Sequence, residues 1–76
     1  MPRMPVLRAD ELIRVLERIG FRAIRQRGSH VRMVHADGRI TSVPVHAGKD
    51  VGRGLLRKIL RDVELTVDEL TELLKP

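Results

Sequence analysis

His30 is the residue in this chain best equipped to move a proton. It follows Arg25-Gln26-Arg27-Gly28-Ser29 and opens an alternating run, Val31-Arg32-Met33-Val34-His35. An imidazole titrates near neutrality, so it can take a proton from a hydroxyl or give one to a leaving oxygen. A histidine on a strand is usually inert, and the setting is what singles this one out. Gly28 lets a backbone approach closely, and Ser29 supplies a hydroxyl. Arg25, Arg27 and Arg32 carry the planar forks that hold phosphate. Together these residues point to acid-base work on a phosphate-linked substrate.

Other groups extend the candidate site. His46 ends a third strand after Val43-Pro44-Val45 and is expected near the His30 end of the sheet, as a second acid-base group or a phosphate ligand. Lys49, Arg53 and the amides near Gly54-Leu55-Leu56 suit a phosphate at a helix N-terminus, although the spacing is not that of a nucleotide-binding P-loop. His35, at the far end of its strand, reads as a surface residue. Cysteine is absent, and the three histidines stand five and eleven positions apart. That spacing matches no helical zinc pattern, so neither a metal nor another cofactor is expected.

Charge placement agrees with a polyanionic partner. The 76 residues carry 15 basic and 10 acidic side chains, a net charge of +5, and the pI is about 11.1. Arg22, Arg25, Arg27, Arg32, Arg39, Lys49, Arg53, Arg57 and Lys58 crowd the middle of the chain. Acids gather at Asp10, Glu11 and Glu17, and again from Asp62 to Glu72. Such a balance favours nucleic acid. Phe21 is the single aromatic residue, so binding must rest on phosphates, backbone and hydrogen bonds rather than on stacked bases. No apolar run approaches the ~20 residues of a membrane span, and no signal peptide is apparent. A cytoplasmic protein without a membrane partner is the default.

One domain of 76 residues must position these groups, with one modest core. Residues 1–7 read as an extended lead. Leu12, Ile13, Leu16 and Ile19 form a core-facing stripe on a helix over 9–19, which Gly20 stops. Strands are expected over 21–25, 30–35 and 39–45, with Arg27-Gly28-Ser29 as a turn. The loop Ala36-Asp37-Gly38 decides which way His30 points. A two-residue turn would place Arg32 opposite Val43. A three-residue loop places Val31 and Met33 with Thr41, Val43 and Val45, and frees His30, Arg32, Val34, Ile40 and Ser42 on the other face. The second register separates core from surface and is the one expected. A helix over 54–63 turns Leu55, Leu56, Ile59, Leu60 and Val63 inward. A last helix opens on the capping box of Thr66 and Glu69. The expected fold is α+β: a three-stranded antiparallel sheet with helices on one face.

Taken as an ordered set, Gly20-Phe21, Arg25-Gln26-Arg27-Gly28-Ser29-His30, Asp37-Gly38-Arg39, Val43-Pro44-Val45-His46 and Gly54-x-Leu56-Arg57-x-Ile59-Leu60 resemble the HicA (YcfA-like) toxin family, from about Pro5 to Leu74. The resemblance implies a double-stranded-RNA-binding-domain-like fold. It also implies the toxin of a type II toxin–antitoxin system, a ribosome-independent mRNA interferase that arrests translation, and a cognate HicB-like antitoxin. His30 stands where the family has its catalytic histidine. Arg25, Arg27, Gly28, Ser29, Arg32, His46, Lys49 and Arg53 are then expected to bind RNA. The family's Gly-Thr-Leu is here Gly54-Leu55-Leu56, lacking a hydroxyl expected to cap the helix, and Arg8 stands where a serine is common. Two other readings fit the residues: a non-catalytic RNA-binding module of the same fold, and a DNA-binding protein whose short basic helix enters a groove.

Overall fold

The computed structural model describes residues 3–76. Its elements, in chain order, are α1 (Ala9–Arg18), β1 (Phe21–Arg27), β2 (His30–His35), β3 (Ile40–Pro44), α2 (Arg53–Val63) and α3 (Val67–Leu74). The strands pair in the order β1-β2-β3, antiparallel throughout. The helices cover one sheet face, giving the expected two-layer α+β architecture. Among the described residues, no helix is long and apolar enough to cross a membrane.

The core lies between the layers. Met33 and Val43 from the sheet meet Leu12 and Leu16 of α1, Leu56, Ile59 and Val63 of α2, and Leu70 of α3, all essentially inaccessible. Val15 joins them, whereas Ile13 and Ile19 of the expected stripe are only half-buried. Of the expected lead, residues 1 and 2 lie outside those described. Val6 is 78% exposed and Leu7 is 2% exposed. The Val51 N–H donates to Leu7 O at 2.8 Å, and Arg8 bridges Asp50. The chain before α1 therefore clasps the chain before α2.

The three-residue loop sets the β2–β3 register. The Arg32↔Ser42 and Met33↔Thr41 pairs turn Val31, Met33, Thr41 and Val43 to the helices, as the alternation requires. The Gly38 N–H donates to His35 O, and the His35 N–H to Arg39 O, both at 2.9 Å.

The structure departs from expectation at points that bear on the site. β1 runs on to Arg27, so the turn shrinks to Gly28-Ser29. Gly28, at φ +58°, takes the first central position, the residue choice of a type II′ hairpin. β1 also carries a bulge between Ala23 and Arg25, which alternation alone does not reveal. Finally, α2 starts at Arg53 with Gly52 as its N-cap. Leu55 is therefore the third helical residue, and a threonine there would not cap the helix.

Candidate nucleic-acid interface and catalytic histidine

The bulge decides what the open face carries. Residues directly opposite each other in an antiparallel pair share a face, with Cβ atoms about 5 Å apart. Arg27 pairs with His30, Arg25 with Arg32 and Arg22 with Val34. Because Ile24 is extra, Arg22 and Arg25 both fall on the face of His30 and Arg32, although they are three apart in sequence. On β3 the same rows end in Pro44, Ser42 and Ile40. The open face thus reads Arg27–His30–Pro44, then Arg25–Arg32–Ser42, then Arg22–Val34–Ile40.

No aspartate or glutamate occurs in any of the three strands. His30, Arg22, Arg25, Arg27 and Arg32 are all exposed. Like charges directly opposite one another repel, and here no carboxylate intervenes. An approaching polyanion relieves that repulsion as well as gaining its own contacts.

The hairpin tip is tied to β3. Ser29 is half-buried, and its carbonyl accepts from the Val45 N–H at 2.6 Å. That bond extends the β3 pairing past Pro44 and brings the chain leading to His46 to the His30 end of the sheet. The Lys49 N–H donates to His46 O at 3.0 Å. His46 and Lys49 line one small cleft with Pro44, Ala9 and Leu55. Pro44 is the cross-strand partner of His30, so these groups stand at one end of the molecule. Arg53 does not join them. It lines a separate groove with Arg57 and Arg61.

Two basic or titratable residues of the central run have structural duties. His35 is not a surface residue. It pairs with Phe21 on the core face, and the two rings meet edge-on with centroids 5.1 Å apart. The Asp37 N–H donates to His35 Nδ1 at 3.1 Å, and His35 Nε2 donates to Ile19 O at 3.0 Å. The ring is thereby bound on both sides, at the exit of α1 and in the hairpin loop. Arg39 bonds the Asp37 carboxylate through Nε at 2.9 Å and donates to Val63 O at the end of α2. Its guanidinium carbon lies 5.2 Å from the Phe21 ring centroid. The Arg39 backbone N–H bonded to Asp37, followed by the Arg39 side chain, holds the Asp37 carboxyl below the usual aspartate range.

Sequence reasoning placed His30 and Arg32 on the open face; the structure adds Arg25 and Arg27 to it, and also Arg22, which the expected site left out. Its inclusion depends on the bulge, and the sequence signal for it is weak: an isoleucine between Ala23 and Arg25 that breaks the polar–apolar alternation. Among the described residues, no three of His, Asp and Glu cluster where they could hold a metal ion.

No curated protein matches the chain. The family model described as HicA toxin of bacterial toxin-antitoxin matches residues 9–65, a span from the first helical residue through all three strands and α2. Three-quarters of the sequence is covered, including every candidate side chain named above, and the chain belongs to the HicA toxin family.

Proposed function

We propose that this toxin is a metal-independent endoribonuclease, an mRNA interferase that arrests translation in the cytoplasm until a HicB-like antitoxin binds it. The observation that supports this most is the acid-free face on which His30 stands among Arg27, Arg25 and Arg32. Those arginines, with Arg22, bind successive phosphates of an RNA strand laid across the sheet. Gly28 and Ser29 shape the hairpin tip against it, while His46 and Lys49 hold flanking phosphates.

Cleavage needs no external nucleophile. His30 removes the proton of a ribose 2′-hydroxyl, and the 2′-oxygen attacks the adjacent phosphorus. The 5′-oxygen then leaves, protonated from water. An arginine beside His30 stabilises the charge that builds on the phosphoryl oxygens. The products carry a 2′,3′-cyclic phosphate and a free 5′-hydroxyl.

The test is an RNA in which the target nucleotide alone is 2′-deoxy. It should resist cutting at that bond, while the parent RNA is cut at an undiminished rate in a chelator. Equal cutting of both substrates, or arrest by the chelator, would overturn the 2′-hydroxyl mechanism. Undiminished RNA binding with no cutting by the parent protein would leave a binding module instead.

A further inference from the structure

A second basic surface lies away from the open sheet face, on the helix layer. Arg53, Arg57 and Arg61 follow one another at i, i+4 and i+8 along α2 and so form one stripe. Arg3 faces the same groove, whose volume is about 780 Å³. The groove's apolar lining includes Leu60, Leu65 and Val67. All four arginines are exposed. The ion pairs among the described residues are Arg14–Asp10, Arg39–Asp37, Lys58–Asp62 and Lys75–Glu72, and none uses an arginine of the stripe.

This arrangement works against the helix that carries it. Like charges at i, i+4 repel, and a cation in the first turn opposes the helix dipole. Arg53 is the first residue of α2, whose first turn has no acid. Glu64 is the single acid in the lining. Arg61, in the last turn, suits the dipole, but Arg53 and the i, i+4 spacing oppose the helix, and the stripe suits an anionic occupant.

The apolar lining narrows the choice of occupant. A nucleic acid would meet the arginines with phosphates, but its bases would find no aromatic side chain to stack on. A protein segment alternating carboxylates with leucine-like side chains satisfies both parts, with apolar anchors in the groove and acids on its rim. We propose that this groove docks an acidic amphipathic helix of the antitoxin, at a site separate from the His30 face. This rests on the antitoxin reading above. It adds that the partner grips the toxin through α2 as well as by any cover it lays over the histidine.

The experiment uses the full toxin and its full-length cognate antitoxin. Arg57→Glu/Arg61→Glu should raise the antitoxin Kd at least tenfold, while RNA cleavage without antitoxin stays within about twofold of the parent. Arg57→Gln/Arg61→Gln, which removes the repulsion without reversing charge, should fold at least as well by circular dichroism and should also bind more weakly. Unchanged antitoxin affinity in either double variant overturns the proposal. So does a fall in RNA affinity with antitoxin affinity intact, which would assign the groove to RNA. The binding arm reads independently of cleavage, so failure of the ribonuclease mechanism would show separately, in the 2′-deoxy substrate alone.

Discussion

Arg25 lies directly opposite Arg32 across β1 and β2, like charge against like charge, on a face without a carboxylate. Such a pair opposes folding by roughly 0.2–1 kcal/mol relative to a neutral pair. Substituting either arginine by alanine should therefore leave stability unchanged or raise it slightly, while RNA affinity falls. Each lost phosphate contact should flatten the slope of log affinity against log salt by about 0.7 for single-stranded RNA. Titrations at several salt concentrations, read beside a thermal melt, check both halves. A variant that melts earlier but binds normally would make the pair structural.

His30→Ala separates chemistry from binding. A positioned acid-base group contributes typically ~10²–10⁴-fold, so the cleavage rate should drop by about that much. Affinity for the same RNA should stay within a few-fold, because the phosphate contacts remain. Measuring both on one substrate decides the matter, and full activity in the variant would remove His30 from the mechanism.

Gly20 is held by its surroundings as well as by its backbone. Its φ is +104°, and an added Cβ would stand 2.7 Å from His35 Nε2, the atom bonded to Ile19 O. Gly20→Ala should cost on the order of 1–3 kcal/mol for the strained backbone, with a further loss as the imidazole is displaced. The same substitution made in a His35→Ala background should cost less, since the clash is then gone. Urea midpoints of the four proteins close the cycle, and simple additivity would contradict the contact.

Acid should loosen the hairpin. The Arg39 backbone N–H and guanidinium hold the Asp37 carboxyl low, and the Lys58 ammonium, then the Thr41 hydroxyl, do the same for Asp62. A depressed folded-state value adds stability above the ordinary aspartate range, about pH 4. That stability is lost as pH falls through the depressed value. Asp37→Asn should thus lower the urea midpoint at pH 7 and converge on the parent near pH 2. A constant gap across that range would refute the linkage.

Glu64 caps α2 in the left-handed region at φ 56°. That conformation costs a side-chain-bearing residue about 1–2 kcal/mol. Glu64→Gly should raise the melting temperature by a few degrees without changing cleavage.

The element order, the register at Asp37-Gly38 and the face of His30 were legible because each rests on a local rule: period-2 alternation, loop length and capping chemistry. What escaped was what tertiary packing decides. His35 has the sequence character of a solvated strand end, yet Phe21 and Ile19, far from it in the chain, hold it half-buried. Arg39 belongs by composition to the basic crowd, but the end of α2 claims it. Leu55 looked like a missing cap, but α2 already starts at Arg53 behind Gly52, and glycine at position 52 gives no side-chain signal. The bulge at Ile24 matters most for function, since one unpaired residue sets which arginines share a face with the histidine.

The same bulge guards an edge. β1 is an edge strand, seven residues long and almost wholly exposed, the kind of border on which another chain can add a strand. Its kink breaks the run of free amides and carbonyls, and its arginines repel a second copy. Neutralising Arg22, Arg25 and Arg27 together to disarm the toxin would also remove the charge that keeps molecules apart. Such a variant should stay folded yet become prone to self-association, and its loss of toxicity would have to be separated from loss of dispersed protein.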